Sequence, residues 1–340
     1  MNISDDVIQF YAIVRKYHWC YELFLGATSL TLNSIVVYMA MTTRNRVIGS
    51  FCYVVIMSLI SDIIYAAANV ISMMVVEVKG GLLYFITLGP FSHSGYPYNF
   101  LMCSIYLAGL YMVFFSIGLQ FIYRYFALCR SHLTIFQFSM LFVATTAYCA
   151  LEAFTGFLVF DGETPEGTEL IREHPMYMHD TPTYIIVDPR KPAAKLHILS
   201  TQLNVIFMYI VIFYTGRKIN SKLREASKSM SQSTKNAQRQ LTRVMVLQAV
   251  YPTIIICIPT MVATVFTQLR MDAAWAGLYM VPCATLVPFV NSVTLLLVIP
   301  SFRRRFFGSL PFRKSQVGQT TMDSKIISLN PRPSDISVTN

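Results

Sequence analysis

Charge is scarce in this sequence. Of 340 residues only 13% are Asp, Glu, Lys or Arg and 54% are hydrophobic, whereas an ordinary soluble domain carries roughly 25% charged residues. Water is therefore not the main solvent of the chain. Acids are the scarcer sign, 17 against 27 bases, which leaves a formal net charge of +10. Such an excess raises nucleic acid as a partner. The bases, however, lie between apolar runs and gather in loops and at the C-terminal end, a pattern that fits anionic lipid and a cytoplasmic partner instead.

Cysteine pairs are missing too. The seven cysteines, at 20, 52, 103, 129, 149, 257 and 283, form no CxxC, and an odd number leaves one thiol unpaired. Neither a disulfide framework nor a structural metal site follows. The opening "MNISDDVIQF" has two acids and no basic stretch, so it does not read as a cleaved signal peptide. No HExxH, GxSxG, GxGxxG or P-loop pattern occurs, which argues against an enzyme and against a cofactor. The stretch "EHPMYMHD" gathers His174, His179 and two methionines, but two histidines in a solvated loop rarely hold copper or zinc, and no metal is expected. No internal repeat is visible, neither a transporter's inverted halves nor a solenoid period.

What the chain does have is long apolar runs. A bilayer crossing takes about 20 apolar residues. The windows predict seven spans, at about residues 19–41, 50–76, 101–127, 135–160, 197–216, 244–268 and 275–299. The expected class is an all-α membrane protein, a seven-transmembrane helix bundle. The apolar "GGLLYFITLGPF" is too short and too rich in Gly and Pro to cross, so it reads as a loop packed on the outer surface. With the N-terminus outside, the inner segments hold 19 Lys and Arg and the outer ones 8, which sets that orientation and a cytosolic C-terminus. The expected organisation is an outer segment 1–18, a seven-span unit 19–308 and a disordered cytoplasmic tail 309–340 poor in hydrophobic residues. Asn2 begins an "NIS" sequon, open to glycosylation if that end is outside.

Polar residues inside the spans fall on stripes. In the second span Ser58, Asp62, Tyr65, Asn69 and Ser72 are spaced 4, 3, 4 and 3, one helical face that must turn to the bundle interior. Asp62 reads either as a structural residue that helps helices associate or as a cation or proton site that shifts with the state of the bundle. Glu152 in the fourth span raises the same question. In the third span Cys103, Tyr106, Leu110, Val113, Ile117, Gln120 and Arg124 alternate 3 and 4, so one face runs from a polar outer end to an arginine at the inner edge of the hydrocarbon. Arg124 reads either as a snorkelling anchor among aromatics or, with its stripe pointing inward, as a coupling residue beside the basic segment that carries Arg239 and Arg243.

His197, Thr201 and Asn204 share a face of the fifth span, and Trp275 and Tyr279 a face of the seventh. With Tyr106 and Leu110 they outline an aromatic, lightly polar cavity for a small molecule. Prolines at 252, 259, 282 and 288 predict kinks in spans six and seven, suited to a bundle that switches.

"FIYRYFALCR" resembles the end of the third span in the nematode seven-transmembrane chemoreceptors of the Str superfamily, where a YRY-type triplet stands in place of Asp-Arg-Tyr. "SMSQSTKNAQRQLTRVMVLQAVYP", residues 229–252, is similar to the Srd class, as are "LGPFSHSG" and "PFVNSVTLLLVIPSFRRRF". The resemblance covers about residues 20–306. It implies a G protein-coupled chemosensory receptor in the membrane of sensory neuron endings, with a small-molecule cue outside and a heterotrimeric G protein met by Tyr123, Arg124, Tyr125, Arg239 and Arg243. Asp62 and Asn69 of the second-span stripe and Asn291 of the seventh span are the candidate intramembrane switch or ion-site residues; the seventh span has Pro288 and Asn291 but no Asn-Pro-x-x-Tyr, a departure from the rhodopsin-like switch. Tyr123 stands where rhodopsin-like receptors have the aspartate, so an Asp-Arg pair cannot lock the resting state. Cys103 has no cysteine in the long outer loop to pair with, which leaves that loop held by packing or by another cysteine. The alternative class is a transporter or ligand-gated channel using Asp62 and Glu152.

Overall fold

Each of the seven predicted spans gives a helix in the computed structural model of the protein, which describes residues 5–42, 49–130, 133–226 and 232–309. The chain runs α1 (Asp5–Met41), α2 (Gly49–Ser72), strands β1 (Met74–Lys79) and β2 (Leu82–Thr87), α3 (Tyr98–Cys129), α4 (Ile135–Phe154) and the short α5 (Gly156–Val159). It continues with α6 (Pro165–Arg172), β3 (Tyr184–Val187), α7 (Pro192–Ala226), α8 (Gln232–Pro252), a π-helical turn (Thr253–Cys257), α9 (Ile258–Gln268), α10 (Ala274–Val298) and α11 (Pro300–Ser309). Seven helical stretches among the described residues are long and apolar enough to cross a bilayer. The sixth is α8, the π turn and α9 together, with Pro252 and Pro259 bracketing the turn as the proline kinks require.

The bundle is mostly helical rather than all-α. The second span stops at Ser72, not at residue 76, because Met73 turns to φ 42° and "MVVEVK" leaves as a strand. The apolar stretch expected as a loop carries the second strand, "LLYFIT". Gly80 and Gly81, at φ 60° and 73°, make the two-residue turn, since a hairpin of this hand needs positive φ at both central positions. Lys79 then pairs with Leu82 and Met74 with Thr87. β3, from the long acidic loop, adds antiparallel to β2 with Tyr184 opposite Ile86.

That third strand answers how the loop is held without a disulfide. All seven cysteines are free, and Cys103 is buried in the core beside Phe100 and Tyr106. Backbone pairing to β2 ties the loop down, reinforced by the reciprocal Asp161–Ile186 bonds at 2.8 Å. Reduction with dithiothreitol is accordingly expected to leave the thermal midpoint of the purified protein unchanged; a fall of several degrees would show that a disulfide stabilises the loop.

The sheet lies across one end of the bundle as a lid. Gly277 lets β1 settle on α10, for a Cβ there would stand 2.8 Å from Glu77 Cγ. Elsewhere local chemistry starts and joins helices. Thr134 and Gln137 form a reciprocal capping box at the start of α4. A Cβ on Gly109 would come within 3.0 Å of Tyr65 Cα, so the small residue sets the close α2–α3 crossing. Asn33 of α1 donates to Pro288 O of α10 at 3.2 Å and Tyr21 donates to Pro282 O at 2.9 Å, locking the first span onto the proline-bearing seventh. Asn2 and the tail 310–340 lie outside the described residues.

Glu77 is the lid's buried acid, with its Oε1 accepting from Tyr177 Oη at 2.8 Å. Burial pushes its carboxyl from 4.5 up to about 7, while the Tyr177 bond and the charge of Lys79 pull the other way. The groups around it are Lys79, paired to Glu173 at 2.9 Å, and His174, packed on Tyr177. A group that holds its proton more tightly when folded makes the folded lid lose stability as pH rises from about 4.5 to about 7, with little change on either side. Backbone amide exchange in β1, corrected for intrinsic rate, should therefore be slower at pH 5 than at pH 7.5 by a factor on the order of 50. Glu77→Gln should flatten that dependence; an unchanged slope in the variant would assign it to another group.

Candidate functional site

Three places bear on function, and α3 serves the first and the third. Under the lid lies a cavity of ≈ 150 Å³ between α3, α7, α9 and α10. Val76 of β1, Leu83 and Phe85 of β2 and Val187 of β3 roof it. Of the expected pocket residues, Tyr106, Leu110, Thr201 and His197 line it. Its polar groups are largely bonded to one another: Gln202 Nε2 donates to Thr264 Oγ1 at 2.6 Å, Thr201 Oγ1 donates to Ile198 O at 2.8 Å, and His197 Nδ1 lies 3.1 Å from Thr155 Oγ1. What remains is an apolar surface with few polar contacts, the chemistry of a small-molecule site.

Two expected residues lie elsewhere. Asn204 lines a much smaller pocket of ≈ 20 Å³ with Glu152, whose Oε1 accepts from Ser200 at 2.9 Å. Tyr279 points away from the bundle at 37% exposed. Residues on a helix turn about 100° apart, and Met280, Val281 and Ala284 take the inner face of α10, so the neighbouring tyrosine is left at the rim. The side chain of Trp275 lies outside the described residues. The sheet's contribution and the Gln202–Thr264 bridge escaped the sequence, because a strand pairing between distant segments leaves no local pattern.

The second place is a polar column between α1, α2 and α10. Asp62 accepts from Asn291 Nδ2 at 3.1 and 3.2 Å. Higher up, Asn69 Nδ2 donates to Glu22 Oε2 at 2.6 Å and to Thr285 Oγ1 at 3.0 Å, and Thr285 Oγ1 lies 2.7 Å from Glu22 Oε2. Glu22 is fully buried. It was legible as an acid inside an apolar window with no base beside it, the same signal that singled out Asp62. Glu152 belongs to the α4–α7 pair and is not joined to Asp62 by any bond among the described residues.

The third place is the far end of α3. Arg124 is 3% exposed, so it does not snorkel. Its Nη2 donates to Gln238 O at 2.8 Å and Gln238 Oε1 at 3.0 Å on α8, and its Nη1 lies 3.3 Å from Met245 Sδ. Tyr123 turns away and packs edge-on against Phe138 of α4, ring centroids 5.1 Å apart. Tyr125 meets Tyr214 of α7. Arg239 and Arg243 stand exposed on α8 beside the buried Arg124. His174 and His179, weighed as metal ligands, do not converge: His174 packs against Tyr11 and Tyr177, and no metal-holding cluster occurs among the described residues.

Comparison with known proteins gives one consistent result. The family described as "Serpentine type 7TM GPCR chemoreceptor Str" matches residues 20–307. The Caenorhabditis elegans protein "Serpentine receptor class r-10" is 25% identical over 316 residues, covering 87% of this chain and 92% of that one. "Serpentine receptor class delta-19" of the same species is 26% identical over 298 residues, covering 85% of each. The crystal structure of squid rhodopsin aligns at a TM-score of 0.65 with 14% identity, over 92% of this chain and 87% of that one, a likeness of fold.

Proposed function

Since the chain belongs to the nematode serpentine 7TM GPCR chemoreceptor family Str, a family of receptors and not of enzymes, we propose that it binds a small-molecule cue in the cavity under the sheet and passes the signal to a heterotrimeric G protein at the Arg124 end. The sheet faces the outside in this reading, and the protein sits in the plasma membrane of a sensory ending. The excess of Lys and Arg in the segments at the other end supports that orientation.

The observation that carries the proposal is that the same two spans serve both ends. α3 contributes Tyr106 and Leu110 to the cavity and Arg124 to the far end. The sixth span contributes Thr260 and Thr264 to the cavity and, through α8, Gln238 to Arg124. Between its two ends lies the π turn with its flanking prolines, a place where the helix can hinge. A cue that fits the cavity better when the sixth span has swung out shifts the population toward the state in which Arg124 is released; equal affinity for both states would shift nothing.

The test is expression with a promiscuous Gα subunit and a calcium readout against a panel of volatile and soluble compounds. A saturable response that needs the Gα subunit is expected. Cue-dependent solute flux or current in proteoliposomes without any G protein would overturn the proposal in favour of a channel or transporter using Asp62 and Glu152.

A further inference from the structure

A second, polar cavity of ≈ 200 Å³ adjoins the apolar one at the lid end, with Gly81, Arg190, Lys195, Thr267 and Arg270 in its wall. The two draw their walls from the same four segments. Four segments step from one to the other at their own period: β2 from Leu83 to Gly81, α9 from Thr264 to Thr267, α7 from Ile198 to Lys195, and the chain leaving β3 from Val187 to Pro189. Two strand residues span roughly 7 Å and three helical residues roughly 4.5 Å, so the polar cavity begins about 5–7 Å beyond the apolar one.

Its wall is cationic. Arg190, Lys195 and Arg270 line it, and none of its lining residues is acidic. The nearest carboxylates in sequence are already engaged. Asp188 is held by Arg190 Nη2 at 2.8 Å, a hydrogen-bonded pair that keeps its carboxyl below the usual range. Asp272 Oδ1 accepts from Gly80 N at 2.7 Å and so fixes the hairpin turn. Lys195 and Arg270 are exposed and enter none of the ion pairs found among the described residues. Arg270 is also held in an unfavourable backbone conformation, φ 58°, where glycine or asparagine would be at ease. The hairpin presses on it there, since a Cβ on Gly81 would stand 3.0 Å from Arg270 Cα. Strain of this kind persists where the surroundings over-determine a position, as binding sites do.

We infer that the cue is an amphipathic organic anion from the aqueous side, whose carboxylate head is met by Lys195 and Arg270 and whose apolar body enters the cavity below. This deepens the proposed function and rests on the apolar cavity being the receptor's ligand site. Two donors of like charge around one pocket favour such a molecule over its neutral analogues, because the anion adds charge–charge attraction to the hydrogen bonds that a neutral carbonyl also accepts there.

The test uses the purified full chain in phosphatidylcholine nanodiscs at pH 7.4, with no G protein present, and reads thermal-midpoint shifts against concentration. The probes are hexanoate, octanoate, decanoate and 3-phenylpropionate, each beside its methyl ester and primary amide. At least one acid should bind about tenfold more tightly than its ester. The preference should weaken with added NaCl, vanish in Lys195→Gln/Arg270→Gln and survive in Lys195→Arg. Should the double variant not fold, the single Lys195→Gln carries the comparison. Acids and esters binding alike, a preference indifferent to the variants, or no acid binding at all would each overturn the inference. So would a Lys195- and Arg270-dependent stabilisation that appears only with phosphatidylglycerol in the disc, since the anion would then be lipid. Failure of this binding test leaves the G protein assay with neutral compounds intact, and binding without G protein activation would strike the coupling proposal alone.

Discussion

Cells expressing Arg124→Ala should give no calcium response to a cue that activates the wild-type receptor, with the variant reaching the surface in comparable amount. Arg124 is a buried cation whose hydrogen-bond partners are neutral: a backbone carbonyl, an amide oxygen and a thioether. Buried charges are ordinarily paired with an opposite charge, because leaving water without that compensation is costly. A guanidinium whose hydrogen-bond partners among the described residues are Gln238 and Met245 is therefore poised to leave for a site that solvates it better, and the acidic face of a partner protein is such a site. Gln238→Ala is the complementary variant. It removes the 3.0 Å side-chain acceptor and keeps the 2.8 Å backbone one. A hydrogen bond to a charged group contributes about 1.5 kcal/mol, so cue-independent signalling should rise about tenfold. If Arg124→Ala responds like the wild type, the arginine is a structural anchor and the coupling proposal falls.

The architecture was legible wherever hydrophobicity alone decides it. Seven apolar runs became seven spanning helices, because a lone helix in hydrocarbon satisfies its own backbone and needs nothing distant. The inward stripe of α2 was equally readable. Ser58, Asp62, Tyr65, Asn69 and Ser72 are all buried, as a 3.6-residue period and an apolar solvent require. The lid was not legible. "MVVEVK" continues the hydrophobicity of the second span without a break, and only the left-handed turn at Met73 separates helix from strand. The pairing of Tyr184 with Ile86 joins residues almost a hundred positions apart, which no local window contains.

The site divides along the same line. Tyr106, Leu110 and Thr201 were found because they lie on regular helical faces. Tyr279 was misplaced by one position of a helix with two internal prolines, where a rotation of about 100° per residue exchanges inside for outside. Tyr123 shows a different limit. The absence of an Asp-Arg pair was visible in "YRY", but the hydrogen bonds that Arg124 makes, to Gln238, join α3 to α8 and depend on a packing that sequence spacing does not encode. The cationic cavity needed four segments to be brought together and was invisible for the same reason.

Leu110→Trp should abolish cue responses, or raise the effective concentration by about a hundredfold or more, with surface expression retained. Leu110 projects from α3 into the ≈ 150 Å³ cavity, one turn from Tyr106. An indole there occupies the space that the cue's apolar body needs. Enlarging a side chain in a close-packed core typically costs about 1–3 kcal/mol through strain, but here the added ring grows into open volume, so the fold should lose less while the ligand loses its site. A hundredfold weakening corresponds to about 2.7 kcal/mol of displaced contact, within what a well-buried apolar group contributes. Leu203→Trp is the matched control: Leu203 is 55% exposed, facing away from the bundle on α7, and the same change there should leave responses as they are. Unaltered potency in Leu110→Trp would mean that the cue binds elsewhere, and the chamber beneath the sheet would lose its claim to be the recognition site whatever the outcome at Arg124.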